Sequence, residues 1–220
     1  MGTAVVVMTY PKRYKQGLAL SQRMNALLSV DIKSEGAFHG SLRAWEMALS
    51  LNMKHCLLLQ DDVEPCINFT IAVERLINSK PDRAISLYNQ RGESKLKHKQ
   101  GVSFFETSFY QFGQAWLMPS NIVKHMLNWI RKSLNSLPFS DPAYALYFYS
   151  NKIPVLIANP SIVQHVGTSQ DSYKSNNASN SRSSYVCSDG NHELFNGTVS
   201  SIEKTKKEIT WLANFRTYLK

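Results

Sequence analysis

Residues 57–65 read LLLQDDVEP, and the most informative feature of the chain is the point here where apolar residues give way to acids. Three successive leucines indicate a buried strand of a parallel sheet. The aspartates Asp61 and Asp62 follow at its carboxyl end, where open α/β sheets bind their ligands. Because neighbouring carboxylates repel each other, a divalent cation, a basic neighbour or solvent must compensate their charge.

Strand and helix patterns alternate through the first 90 residues. Strands are expected at residues 4–9, 29–32 and 55–59, and helices at residues 18–28 and from the Gly-rich segment near 36–40 to residue 51. The first segment indicates a strand and not a signal peptide. Later strands are expected at residues 84–88, 103–110, 114–118 and 154–158, with 103–110 and 114–118 as a pair. The chain therefore predicts an α/β fold, with a mixed, mainly parallel, Rossmann-like sheet flanked by helices.

Three regions follow from the composition along the chain. Residues 1–167 form the main domain, and residues 168–198 are rich in Ser and Asn, which indicates a flexible loop or lid. Residues 199–220 are expected to form an amphipathic basic helix packed on the domain, beginning with a capping box of Ser200 and Glu203.

The formal net charge of +9 favours a polyanionic partner such as DNA, RNA, anionic lipid or a phosphorylated sugar. The alternative is a basic surface that serves solubility alone. The chain has no apolar run of about 18 residues, so no membrane span is expected. Its 3 cysteines show no paired spacing, which favours a reduced cytoplasm as the location.

The acidic pair alone has three interpretations. It can be a solvated turn with an Asp capping the next helix, a carboxylate pair for general acid/base catalysis, or a Mg²⁺ or Mn²⁺ site shared with a bound phosphate. The order of segments favours the metal site. A first strand, a Gly-rich segment leading into a helix, an apolar strand ending in acids and a late Gln-His-Val-Gly follow one another.

Residues 3–168 resemble the nucleotide-sugar-dependent glycosyltransferases of the GT-A fold. LLLQDD stands where those enzymes carry an Asp-x-Asp-type metal motif, and NPSIVQHVGTSQD resembles their segment that contains a late Gln-His pair. GSLRAWEMAL resembles the helix between their nucleotide site and their metal strand. This sequence departs from the common motif at Gln60, which stands where the family usually has Glu or Asp and can hydrogen-bond but brings no charge.

The resemblance implies a GT-A-like catalytic domain, a Mn²⁺ or Mg²⁺ cofactor and a nucleotide-sugar donor, with a UDP-sugar favoured. It implies Asp62 as a metal ligand and His165 as the second protein ligand. Gln60 and Asp61 are then donor contacts.

Further donor-binding and catalytic candidates follow from the same resemblance. The donor candidates are Thr9, Tyr10, Arg13, His39 and Arg43. Each also fits an ordinary loop or an exposed helix position. Asp141 is the candidate general base for the acceptor hydroxyl, and a helix cap is its alternative role.

DNA is the favoured acceptor, through a hydroxymethylated pyrimidine in phage DNA, which would place the protein in the host cytoplasm. The basic segment 95–99 and the basic face of Lys204, Lys206 and Lys207 suit phosphate contacts. One alternative acceptor is a bacterial surface glycan or a lipid-linked sugar. A non-catalytic module that binds nucleotide or nucleic acid is the alternative to an enzyme.

Overall fold

A mixed β-sheet forms the centre of the protein in a computed structural model that describes residues 2–110, 112–135, 137, 140–166, 195–202, 210, 214, 218 and 219. The strands are β1 (Thr3–Thr9), β2 (Leu27–Val30), β3 (His55–Gln60), β4 (Val63–Pro65), β5 (Ile85–Ser86), β6 (Val102–Thr107), β7 (Ala115–Pro119), β8 (Val155–Ala158), β9 (Val163–His165) and β10 (Thr198–Ser201). The helices are α1 (Tyr14–Met24), α2 (Ala37–Ser50), α3 (Phe69–Ser79), α4 (Ser94–Lys99), α5 (Ser120–Ser133) and α6 (Ser140–Ser150). A 3₁₀ turn at Pro11–Arg13 precedes α1.

Within the described residues, eight strands form one sheet in the order β10-β6-β8-β5-β7-β3-β1-β2. Four neighbouring pairs are parallel, namely β1/β2, β1/β3, β5/β8 and β6/β10. Three are antiparallel, namely β3/β7, β5/β7 and β6/β8. The predicted α/β class with a mixed, mainly parallel sheet and flanking helices is confirmed.

The predicted pairing of residues 103–110 with 114–118 is wrong. Both segments are strands, but β7 lies between β3 and β5, whereas β6 lies between β8 and β10. The side-chain burial of the two strands explains the separation. All five residues of β7 are buried, as a central strand requires, while β6 contains half-buried positions nearer the edge.

Two boundaries differ from the sequence prediction. The helical spacing expected over residues 18–28 joins the end of α1 to the start of β2, because Asn25 takes the left-handed conformation, with φ 49°, and ends the helix. The C-terminal helix does not begin at Ser200. Residues Thr198–Ser201 instead extend the sheet beside β6, where Thr198 N donates to Gly101 O.

Residues 167–194 and most of residues 203–220 lie outside the described residues. The predicted Ser/Asn-rich loop and most of the predicted C-terminal helix therefore remain predictions. In the part of the chain that the structure describes, no helix has the length and apolar character needed to cross a membrane.

Hydrophobic residues cover both faces of the sheet. One buried cluster packs β-strand residues against α2, α5 and α6, and a second packs the other face against α3 and Leu20 of α1. Leu57, Leu58 and Leu59 are at most 2% exposed because β3 lies in the middle of the sheet. Burying each of these side chains stabilises the fold by about 1.5–3 kcal/mol.

One edge of the sheet collects most of the polar loops. The carboxyl ends of β1, β2, β3, β5 and β8 lie there, together with the starts of the oppositely directed β6, β7 and β10. We call this the carboxyl edge. The acidic pair lies at this edge, directly after β3.

Candidate active site

Both aspartates of the acidic pair are buried, so the pair is not a solvated turn. Asp61 is 5% exposed and Asp62 is 6% exposed. The backbone holds them from both sides, since Asp61 N donates to Met8 O of β1 and Gln60 N donates to Gln114 O beside β7. Two carboxylates that are buried this deeply need other groups to balance their negative charge.

Arg13 and Thr9 supply that compensation in the structure. Arg13 Nη1 donates to Asp61 Oδ1 at 2.8 Å and to Asp62 Oδ2 at 2.7 Å. Thr9 Oγ1 donates to Asp61 Oδ2 at 2.5 Å. The guanidinium Cζ also lies 5.3 Å from the centroid of the Tyr10 ring. The fold thus brings Thr9 and Arg13, two of the predicted donor residues, against the acidic pair and places the third, Tyr10, beside Arg13.

His165 reaches the same place from 103 residues away in the sequence. Its Nε2 lies 3.3 Å from Asp62 Oδ2. The short strands β4 and β9 pair antiparallel with Val63 opposite His165, and Val166 N donates to Asp62 O at 2.8 Å. This two-stranded ribbon fixes the histidine beside the aspartate that the sequence analysis pairs it with.

The residues present fit a divalent cation. Asp62 Oδ1 is buried and has no hydrogen-bond partner among the described residues, so it is available as a ligand. A carboxylate and an imidazole suit Mn²⁺, and Mg²⁺ accepts the carboxylate. The described residues contain no group of three or more His, Cys, Asp or Glu that could hold an ion. Phosphate and water oxygens would therefore complete the coordination.

The surroundings separate the pKa values of the two aspartates. Burial raises the pKa of Asp61 to about 6, against the opposing effects of Arg13 and Thr9. Burial also acts to raise the pKa of Asp62, but His165 and Arg13 together bring it below its usual range. Asp62 is therefore the carboxylate that stays ionised well below neutral pH, as a metal ligand must.

Asp141 lies beside Gln60 at the same edge. A Cβ atom added to Gly113 would collide with Asp141 Oδ1 and would lie 3.5 Å from Gln60 Nε2. Asp141 lies in the first turn of α6, after Ser140, whose Oγ donates to Asp141 Oδ1 at 3.3 Å. Because Gly113 has no side chain, the Asp141 carboxylate can occupy this space next to the end of β3.

His39 and Arg43 lie on α2. Arg43 forms ion pairs with Asp31 and Glu35, which fixes it near the end of β2. The His39 ring packs edge-on against Phe38, with 5.0 Å between ring centroids. Their roles in donor binding remain predictions.

Asp31 and Gln114 are polar residues at the edge that the sequence analysis did not select. Asp31 is 4% exposed, accepts hydrogen bonds from Glu35 N and Gly36 N, and donates from its own N to Thr9 O. Gln114 is 3% exposed, and its Oε1 has no partner among the described residues. An acid at the end of a predicted strand was an available signal for Asp31, whereas the polar Gln114 beside an apolar strand gave only a weak one.

The basic segment 95–99 also reaches the carboxyl edge. It forms α4, and Asn159 Nδ2 donates to Ser94 O at 3.4 Å and to Val102 O at 2.9 Å, which ties both ends of this segment to the end of β8. Lys95 and Lys99 of this helix are exposed. Lys204, Lys206 and Lys207 lie outside the described residues.

The sequence matches no family model and no curated protein. Among solved structures, the fold is similar to A197 from STIV, with 14% identity and a TM-score of 0.43 over 74% of this chain and 84% of that chain. It is also similar to a mutant Drosophila β-1,4-galactosyltransferase 7 in complex with manganese, UDP-Gal and xylobiose. That likeness has 11% identity and a TM-score of 0.46 over 81% of this chain and 78% of that chain.

Proposed function

We propose that this protein is a metal-dependent glycosyltransferase that moves a sugar from a nucleotide-sugar donor to an acceptor hydroxyl. The observation that carries the proposal is the contact between Asp62 and His165 at the carboxyl edge, with Oδ2 and Nε2 3.3 Å apart. The fold uses a dedicated strand pair to hold these two side chains together. The adjoining Arg13 and Thr9 add groups suited to a phosphate and a nucleotide.

Asp62 and His165 would hold a Mn²⁺ or Mg²⁺ ion, which neutralises the diphosphate leaving group when bound. Thr9 and Tyr10 lie at the end of β1, where a nucleotide would meet backbone groups and an aromatic ring. Gln60 and Asp61, at the end of β3, would contact the donor sugar or ribose. His39 and Arg43 would line the same site from α2, the helix that follows β2.

Asp141 is the candidate general base. It lies next to Gln60, within the part of the edge where the donor sugar would lie. As the acceptor oxygen forms its bond to the anomeric carbon, the bond from that carbon to the diphosphate breaks. Asp141 would take the proton of the acceptor hydroxyl, directly or through one water.

DNA is the favoured acceptor within this proposal. The exposed Lys95 and Lys99 lie on α4, which is tied to the carboxyl edge through Asn159. Lysines beside the reaction site can hold phosphates and so position a duplex or an extruded base. A hydroxymethylated pyrimidine would supply the hydroxyl group.

A transfer assay tests the function and the acceptor together. Purified protein with Mn²⁺ and a panel of nucleotide sugars is offered hydroxymethylated DNA, plain DNA and oligosaccharide acceptors, and products are weighed by mass spectrometry. We expect a sugar-sized mass gain on the hydroxymethylated nucleoside alone. Transfer to the oligosaccharide instead would keep the enzyme class and replace the acceptor. Tight nucleotide binding without any donor turnover would indicate a non-catalytic binding module.

A further inference from the structure

Arg13 already stands where a cation is needed. Its Nη1 atom lies 2.8 Å from Asp61 Oδ1 and 2.7 Å from Asp62 Oδ2, and its side chain is only 10% exposed. A fixed, nearly buried guanidinium is a permanent positive charge. Arg13 therefore offsets one of the two negative charges of the acidic pair from within the chain.

A divalent ion bound at Asp62 would be repelled by the positive charge of Arg13. Asp62 Oδ2 is the atom that lies nearest both Arg13, at 2.7 Å, and His165, at 3.3 Å. An ion that contacts Asp62 and His165 would stand beside the guanidinium, and like charges this close in a nearly buried site repel strongly. Arg13 and the ion must therefore compete for Asp62.

The turn that carries Arg13 also borders an open hollow. Arg13 ends the 3₁₀ turn after β1, beside the Tyr10 ring and between Lys12 and the start of α1. An open hollow of about 430 Å³ lies along this turn, lined by residues 11–16. A diphosphate there would meet Arg13 in the paired geometry that guanidinium groups form with phosphate.

We propose that Arg13 is a resident counter-cation that holds the acidic pair in the metal-free protein and moves to the donor diphosphate when a divalent ion takes its place. This proposal rests on the function proposed above. Arg13 is then a positioning residue that couples two ligands. The ion alone binds weakly because it must displace Arg13, and a nucleoside diphosphate strengthens the binding by accepting the guanidinium. By linkage, the ion strengthens diphosphate binding by the same factor.

Mn²⁺ titration followed by electron paramagnetic resonance tests the competition without any turnover. The full chain is compared with Arg13→Gln and with the matched control Arg23→Gln. Arg23 lies in α1, the helix that follows Arg13, and pairs with the exposed Glu64. We expect Arg13→Gln to bind Mn²⁺ alone at least about fivefold more tightly than the wild type, which is the lower end of typical coupling between sites. Arg23→Gln is expected to match the wild type.

The same titration with uridine diphosphate present, corrected for the Mn²⁺–nucleotide complex in solution, measures the coupling. Uridine diphosphate should raise the Mn²⁺ affinity of the wild type, and this gain should shrink in Arg13→Gln. A purely structural role for Arg13 would lower stability without changing this ratio. Arg13→Lys keeps the charge and is expected to retain part of the gain.

Each outcome has a defined meaning. Equal or weaker Mn²⁺ binding by folded Arg13→Gln overturns the competition, while Mn²⁺ binding by the wild type leaves the proposed function standing. Failure of the wild type to bind Mn²⁺, with or without uridine diphosphate, overturns both. If Arg13→Gln does not fold, nitrogen NMR of the wild-type guanidinium groups replaces it. The Arg13 signal, assigned by its loss in Arg13→Lys, should change on adding Mg²⁺, and an unchanged signal with Mg²⁺ bound overturns the proposal.

Discussion

At the scale of single residues, the adjacent aspartates are compensated by Arg13, Thr9 and His165, each of which contacts one or both of them. Of the three compensating groups that the sequence allowed, the structure shows the basic neighbour in contact with both aspartates. This arrangement does not exclude a cation, because Asp62 Oδ1 has no partner within the described part of the chain. In the proposal above, the cation binds Asp62 after Arg13 has moved to the donor diphosphate.

His165→Ala should weaken Mn²⁺ binding at least about tenfold, because it removes one of the two protein ligands. The measurement is the same Mn²⁺ titration, with the melting temperature checked to show that the fold survives. His125→Ala is the matched control, since His125 Nδ1 contacts Tyr147 Oη, a contact between α5 and α6. Equal Mn²⁺ affinity of His165→Ala and wild type would remove the histidine from the metal site.

Gly113→Ala should lower kcat strongly, by up to about 100-fold, because the new methyl group would displace the Asp141 carboxylate from its place beside Gln60. Steady-state kinetics of sugar transfer measure this effect. Gly92→Ala is the matched control, since a Cβ there would have no neighbour within 4 Å. Unchanged kcat in Gly113→Ala would argue against Asp141 as the base.

The sequence selected Asp62, His165 and the loop after β1 as candidates because a strand end and a motif resemblance mark them, and their roles stay predictions. It was not enough to show the contacts between them. The bridge from Arg13 to both aspartates depends on the 3₁₀ turn after β1, and no residue pattern specifies where its guanidinium points. Arg43 shows the same limit, because its ion pairs with Asp31 and Glu35 arise only once α2 packs beside β2.

At the scale of elements, the positions of the strands were easier to predict than which strands lie next to each other in the sheet. Apolar runs identify β1, β3 and β8, but hydrophobicity does not say that β7 inserts between β3 and β5. The start of the C-terminal helix was wrong for a related reason. The backbone of Thr198–Ser201 pairs with the otherwise open side of β6, and this tertiary contact outweighs a local capping pattern.

Leu58→Ala should lower the free energy of unfolding by about 2–5 kcal/mol, because it leaves a cavity in the centre of the sheet. Leu58 is 0% exposed in β3. Urea denaturation measures the change. Leu96→Ala is the control, since Leu96 is 61% exposed on α4 and its loss should change stability by at most about 0.5 kcal/mol. Similar losses for both variants would contradict the central position of β3.

The helix α4 provides a test of DNA as partner. Replacing Lys95 and Lys99 by Ala should weaken DNA binding and reduce the slope of log affinity against log salt by about 0.9 for each lost phosphate contact. Fluorescence anisotropy at several salt concentrations measures the slope. Lys54 and Lys152 are exposed and precede the starts of β3 and β8, at the opposite edge of the sheet, so their double Ala variant is the control. Equal slopes for both double variants would exclude α4 from DNA binding.

At the scale of the whole molecule, the mixed sheet gathers at its carboxyl edge the groups to which we assign the proposed sugar transfer. The Asp62–His165 pair, the loop with Arg13 and the half-buried Gln60 and Asp141 all lie at this edge, although they come from residues spread between positions 9 and 165 of the chain. The sheet topology therefore brings together in one place segments that lie far apart in the sequence.

Metal-dependent turnover of a nucleotide sugar is the measurement that tests this account most directly. Release of nucleoside diphosphate from a panel of nucleotide sugars would be followed for wild type, Asp62→Asn and the control Glu64→Gln, with Mn²⁺ and with a chelator. Glu64 is an exposed acid two residues beyond Asp62 that pairs with Arg23. We predict turnover with Mn²⁺ that the chelator and Asp62→Asn abolish and Glu64→Gln retains. Turnover that persists in the chelator or in Asp62→Asn would contradict the metal site, and no turnover of any donor would contradict the transferase.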